Sequence, residues 1–169
     1  MWIMSSERVL HEFEPVFDER SRVLILGTMP SPKSREAGFY YMHPQNRFWR
    51  VLSEVLGEEL PPTAYGRREL CLRHNIALWD VLASCDISGA SDSTIADPVP
   101  NDLRRIFSQC PINAVFTTGK KAHELYRRFF PDLPEDMCLP SSSPANRAVS
   151  HEKMLLEYRR IGEALNTSS

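Results

Sequence analysis

At 169 residues, 42% hydrophobic and 25% charged, the chain has the composition of a soluble globular protein and the length of one domain, read here as residues 1–169. Its net charge of −2 argues against a globally basic nucleic-acid binder, leaving only a local basic face, and no apolar stretch approaches the ~20 residues of a membrane span. Four unevenly spaced cysteines (Cys71, Cys85, Cys110, Cys138) include no CxxC pair, which argues against a zinc ribbon or iron–sulfur run and for buried free thiols.

The start, MWIMSSERVLHEF, lacks a basic n-region and a long apolar core, so no signal peptide is expected and the cytoplasm is the expected location. RVLIL (22–26) predicts a short buried strand bounded by Gly27. The next residues, GTMPSPKS, nearly match a phosphate-binding loop, G-x-x-x-x-G-K-[ST], with Pro32 where the second glycine belongs. Such a loop cradles phosphate with successive main-chain N–H groups, and Pro30 and Pro32 have none to give. A different device therefore occupies that place, within a long loop running from 27 to about 45. Loops of that length inside a domain are usually functional.

NRFWRVLSEVLG predicts a helix from about 46 to 56, with Phe48, Val51, Leu52 and Val55 on one apolar stripe. Residues 64–74 read as helical, IALWDVL as a second buried strand running into a turn, and 86–100 as irregular. Asn101 can cap a helix that turns Leu103, Ile106 and Phe107 inward. INAVFTTG is a third strand ending at Gly119, and KKAHELYRRFF the helix behind it. MCL forms a short strand, PSSSPANRAVS a loop, and about 150–165 the last helix. Strands alternating with helices predict an α/β fold with a parallel sheet covered on both faces. In such folds the site lies beyond the carboxyl ends of the strands. Three segments leave those ends: 27–45, the Thr117–Lys120 corner, and 140–150.

Two of these segments carry chemistry. FYYMHPQNRFW (39–49) combines aromatics, a histidine, an amide and an arginine, and aromatics can stack on a flat base. PSSSPANR (140–147) offers small polar groups and a proline suited to close approach to a phosphodiester. Phe39, Phe48 and Trp49 are expected in the core. Tyr40 and Tyr41 divide between core and surface, because adjacent side chains of an extended chain point to opposite sides.

GTMPS followed by FYYMHPQNRFW, with SSSPANR near the C-terminus, resembles the uracil-DNA glycosylase superfamily and within it the hypoxanthine-DNA glycosylase family. IALWDVLASC, SDSTI and PNDL extend the resemblance over nearly the whole chain. It implies a three-layer α/β/α fold around a four-stranded parallel sheet, and a monofunctional enzyme that flips out a deaminated base and hydrolyses its glycosidic bond, leaving an abasic site. The base would be hypoxanthine, with uracil or xanthine as alternatives. Relatives position water with Asp or Asn two residues after the loop glycine, where Met29 stands here. The hypoxanthine family uses an asparagine in its H-P-Q-N segment, which corresponds to Asn46, with His43 as the alternative catalytic group.

By the same resemblance, Gly27, Thr28, Met29, Pro30, Ser31 and Thr118 would surround the base. Tyr41 would stack on it, with Tyr40 in reserve. Lys33, Arg47, Lys120, Ser142, Ser143, Pro144, Asn146 and Arg147 would meet DNA. The sequence departs from many relatives at Ser141, Thr118 and Ala145, where those carry a histidine, an asparagine and a leucine wedge. No cofactor and no metal are expected, and a monomer acting on DNA without any membrane association. Rival readings are a uracil- or xanthine-directed enzyme of the same fold, a non-catalytic binder of altered DNA, and a small-nucleotide binding protein.

Overall fold

A computed structural model describes residues 6–88 and 91–167. Residues 1–5, part of the start read above for a leader, and residues 89–90, part of the stretch read as irregular, lie outside the described residues. In chain order the elements are β1 (Glu7–Leu10), β2 (Val23–Gly27), α1 (Pro32–Ala37), α2 (Phe48–Val55), α3 (Ala64–Arg73), β3 (Ile76–Asp80), β4 (Leu82–Ile87), β5 (Ala96–Pro100), α4 (Arg104–Gln109), β6 (Ala114–Thr118), α5 (Lys120–Phe129), β7 (Asp136–Leu139) and α6 (His151–Asn166). No helix among the described residues is long and apolar enough to cross a membrane.

The parallel sheet has the order β3-β2-β6-β7. Every residue of β2 and β3 is buried, as continuous apolar runs in a sheet covered on both faces should be. Helix α6 packs on α2 and over β2, α3 lies against β3, and α5 covers β6 and β7. This is the three-layer α/β/α arrangement the resemblance implied. The apolar stripe of α2 is real: Phe48, Val51 and Leu52 are fully buried, with Trp49 beside them.

A second, antiparallel sheet, β1-β4-β5, was not legible as such. The segment 86–100 is not irregular throughout: β4 extends to Ile87 and β5 occupies Ala96–Pro100. Its prolines are tolerated because β5 is an edge strand. The two sheets meet at one residue. Val81 separates β3 from β4, and its N–H, with that of Leu82, still pairs with the carbonyls of Gly27 and Thr28. Asn101 is no helix cap. Its amide donates to the carbonyls of Asp80 and Leu82 and its N–H to that of Val81, so it staples this corner, and α4 starts beyond it.

The loop 27–45 also holds a helix. Ser31 caps α1 by accepting the Ser34 N–H, Pro32 occupies its first turn, and Gly38 closes it at φ 72°. Lys33 and Ser34 of the near phosphate loop are thereby taken into α1. Ser34 is buried, and its hydroxyl accepts the Met42 N–H.

Candidate active site

A pocket of about 680 Å³ opens over the carboxyl ends of β2, β3 and β6, a volume ordinary for a ligand site. The three segments expected there do converge: Gly27–Pro32, Tyr40, Tyr41, His43 and the adjoining Asn46 from the first, Thr118 from the second, and Ser141–Asn146 from the third. A fourth contribution comes from Asp80, Ile87 and Ser91–Ser93, around the corner between the sheets.

The floor is built around Gly27. A Cβ there would lie 2.4 Å from Asp80 Oδ1 and 3.0 Å from the Tyr41 hydroxyl, so only a hydrogen leaves room for both groups. Asp80 is 4% exposed, and its Oδ2 sits 2.8 Å from His11 Nε2. Oδ1 accepts no hydrogen bond from the described residues, and Asp80 lines the cavity beside Gly27. Sequence reading missed Asp80 because IALWDVL was read only as a buried strand. The available signal was an acidic residue ending a run otherwise buried on both faces.

Tyr40 and Tyr41 separate in an unexpected way, because Tyr41 adopts φ 54° and the chain is not extended there. That left-handed backbone is strained for a bulky residue. It lets both rings turn inward, in different directions. Tyr40 is 2% exposed, and its hydroxyl donates to the Glu14 carbonyl. It packs on Phe13 and Phe39, so its ring belongs mainly to the core, with an edge on the pocket lining. Tyr41 reaches the pocket floor. Its ring stacks on Phe48 at 3.9 Å, and its hydroxyl lies 3.0 Å from Thr118 Oγ1. Burial, and secondarily the Asp80 charge, hold the Tyr41 phenol well above its ordinary titration range. Trp49 fixes the turn by donating to the Tyr40 carbonyl.

On the rim, the N–H groups of Thr28 and Ser31 donate to no acceptor among the described residues. The prolines removed some donors of this loop, and these two are among those left. Pro30 is buried, and Met29 packs partly into the core while lining the pocket. Asp92, from the segment between β4 and β5, brings its carboxylate 3.5 Å from the Thr28 hydroxyl. Burial of that group and the nearby Asp80 raise its pKa, against the opposing effect of Thr28.

Asn46 lines the same cavity, and its Oδ1 accepts the Phe48 N–H at the start of α2, one residue ahead of the Arg47 cap position. That bond engages the oxygen and leaves the amide N–H groups without an acceptor among the described residues. His43 accepts the Gln45 N–H at Nδ1, so its neutral form carries the proton on Nε2.

The expected DNA-facing residues divide. Lys33, Lys120 and Arg147 are exposed, Lys33 within 3.9 Å of Glu36. Arg47 is not free for phosphate. Its guanidinium donates to the carbonyls of Asn146 and Val149, tying α2 to the last loop. Ser142 is likewise buried, and its carbonyl accepts the Arg47 N–H. Ser143 and Asn146 hold the loop from within: the Ser143 hydroxyl accepts the Ala145 N–H, and the Asn146 amide donates to the Ser141 carbonyl. Pro144 and Ala145 stand at the pocket edge between them. Three of the four cysteines are buried and all are free, as their spacing suggested.

A parallel sheet whose strand ends carry an aromatic platform, unused N–H donors and a buried carboxylate has the makings of a pocket for a planar heterocycle. The sequence profile described as "Uracil DNA glycosylase superfamily" matches residues 14–165, and the chain belongs to that superfamily. It is 38% identical over 144 residues to a protein of Methanosarcina acetivorans named "Hypoxanthine DNA glycosylase", covering 83% of this chain and 90% of that one. A protein of Methanosarcina barkeri with the same name is 37% identical over 137 residues, covering 80% and 87%. The solution NMR structure of a Methanosarcina acetivorans protein described as a uracil DNA glycosylase superposes with a TM-score of 0.75 at 31% identity. That superposition covers 89% of this chain and 96% of the other.

Proposed function

We propose that this protein is a single-domain, monomeric and monofunctional DNA glycosylase that extrudes a deaminated base, hypoxanthine first, and hydrolyses its N-glycosidic bond. The observation that carries the reading is the pocket floor, where a buttressed tyrosine ring and one free carboxylate oxygen face the same cavity. The names of its Methanosarcina relatives support the choice of hypoxanthine.

Hypoxanthine carries a ring N–H beside a carbonyl. In this reading Tyr41 stacks on the flipped base and Asp80 Oδ1 accepts that N–H. Adenine, whose ring nitrogen presents a lone pair there, would meet a second lone pair and be refused. The C1′–N9 bond then breaks with its electron pair leaving on the base. Negative charge grows on the purine as positive charge grows on the sugar. The N–H groups of Thr28 and Ser31, and His43 through Nε2, are donors suited to the departing anion. The Asn46 amide orients the water that adds to C1′, and a proton from that water balances the charge on the free base.

Flipping costs a few kcal/mol and is cheapest for a weakly paired base, which suits an enzyme whose loop offers Ala145 where a leucine wedge could stand. Ser143, Pro144 and Asn146 then press on the backbone, while Lys33, Lys120 and Arg147 neutralise phosphates.

The test is a set of duplex oligonucleotides holding hypoxanthine, uracil, xanthine or only normal bases, incubated with the protein and cleaved with alkali at abasic sites. Cleavage of the hypoxanthine strand is expected. Selective binding to damaged strands with no abasic product would make the protein a binder and overturn the proposal. Preferred cleavage at uracil would overturn the choice of base alone.

A further inference from the structure

His11 does not line the pocket, yet it is the hydrogen-bond partner of the Asp80 side chain among the described residues. It follows β1 of the small antiparallel sheet, where its N–H donates to the Ala83 carbonyl, so the second sheet delivers it under the floor of the first. Its side chain is 1% exposed, against 5% for that of Asp80, and the rings of Phe13 and Tyr40 close around it at 4.6 and 5.8 Å.

A buried carboxylate is retained only where it is paired. An ionised carboxylate can only accept hydrogen bonds, so the ring nitrogen 2.8 Å from it must be the one that carries the proton. The Nε2–H of His11 therefore donates to Asp80 Oδ2. Asp80 Oδ1 is then an acceptor with no proton of its own, held above Gly27 where the cavity begins.

We infer that His11 is a positioning residue for base selection: by donating to Asp80 Oδ2 it fixes the carboxylate as an acceptor aimed into the pocket, and so makes the site choose bases with a ring N–H. The inference rests on the glycosylase reading. Without His11 the carboxylate loses its partner at Oδ2 and can swing on its χ2 axis, so Oδ1 is no longer held in one direction.

The test measures the preference of the protein for a duplex containing 2′-fluoro-2′-deoxyinosine, which resists cleavage, over the same duplex with normal bases. His11→Leu should lower this preference about tenfold or more, the effect of losing a hydrogen bond to a charged group. His11→Gln, which keeps an N–H donor, should restore most of it. Melting temperatures of both variants establish that they fold. A His11→Leu preference within about twofold of wild type overturns the inference while leaving the glycosylase reading intact, since only the pair's role fails. Equal losses in folded His11→Leu and His11→Gln overturn it too, because the N–H would then not matter. If wild type shows no preference for the inosine duplex, the choice of hypoxanthine falls and takes the inference with it, while the excision assay decides the glycosylase reading separately. Nitrogen NMR of the wild-type imidazole gives an answer that needs no variant: a proton on Nε2 is expected, and a neutral ring protonated on Nδ1 overturns the arrangement.

Discussion

Gly27→Ala isolates the geometry of the pocket floor. Gly27 has no backbone need to be glycine, because its φ is outside the left-handed region occupied by Gly38, Gly57 and Gly119. Its reason is space. An alanine methyl would sit 2.4 Å from Asp80 Oδ1, and to reach even 3.0 Å the carboxylate must retreat by more than half an ångström. The retreat is blocked behind by His11, already at hydrogen-bonding distance, 2.8 Å from Oδ2. Either that bond breaks, or β2 and β3 move apart where Gly27 and Asp80 pair. The same methyl also presses on the Tyr41 hydroxyl at 3.0 Å.

Overpacking of this kind costs roughly 1–3 kcal/mol of stability. In a domain of this size that is a fall of roughly 2–12 °C in melting temperature. The activity loss should exceed what stability explains, because a displacement approaching 1 Å in a binding group costs on the order of 100-fold in kcat/KM. The assay pairs thermal unfolding with single-turnover excision of hypoxanthine. An Asp80→Ala background separates the causes: with the clashing oxygen gone, Gly27→Ala should cost far less stability there. A Gly27→Ala protein with unchanged melting temperature and activity within about threefold would show that neither Asp80 nor Tyr41 is held as described.

Tyr41→Ala should weaken binding of inosine-containing DNA by about 1–3 kcal/mol, measured against undamaged DNA, while Tyr40→Ala should instead lower the melting temperature as a core truncation does. For Asn46 the two roles divide: Asn46→Asp keeps an oxygen for the Phe48 N–H and should fold normally, Asn46→Ala should lose about 1 kcal/mol, and both should lose excision activity. Lys33→Ala, Lys120→Ala and Arg147→Ala should each reduce the log–log slope of DNA affinity against salt by about 1, whereas Arg47→Ala should leave that slope alone and destabilise the loop it ties.

The elements that announce themselves locally were legible in the sequence. The buried runs of β2 and β3, the stripe of α2, and the Gly119 exit all follow from periodicity and punctuation within a dozen residues. The convergence of three loops followed in turn from the parallel sheet. What escaped depends on contacts between distant segments. β1 is four residues long and becomes a strand only by pairing with β4, more than 70 residues later. β5 carries prolines that argue against a strand until its edge position is known. The start of α1 is legible in Ser31-Pro32, since a capping serine before a first-turn proline is a helix signal, although the same residues also nearly match a phosphate loop. Arg47 and Asn146 look like surface groups in sequence, and only the folded loop shows that their donors satisfy nearby carbonyls.

These failures share a cause that bears on how the site works. Residues assigned by type alone, cations to phosphate and aromatics to bases, are those whose roles in such a fold are interchangeable among neighbours. The residues that fix geometry have roles created by the fold. Asp80 is distinctive because the corner at Val81, stapled by Asn101, turns the chain from one sheet to the other at the next residue. That turn lets one strand end over the pocket while the next pairs with β1, and β1 in turn leads to His11. The opening loop follows the same logic. Two prolines spoil a phosphate cradle, but they stiffen the exit from β2, start α1, and leave N–H groups on Thr28 and Ser31 without an acceptor among the described residues. A pocket for an uncharged planar base needs a few fixed donors and acceptors rather than a ring of N–H groups around an anion. By that physical criterion GTMPSPKS suits the base-binding exit loop proposed above, and the strained backbone at Tyr41 brings an aromatic ring to the same cavity.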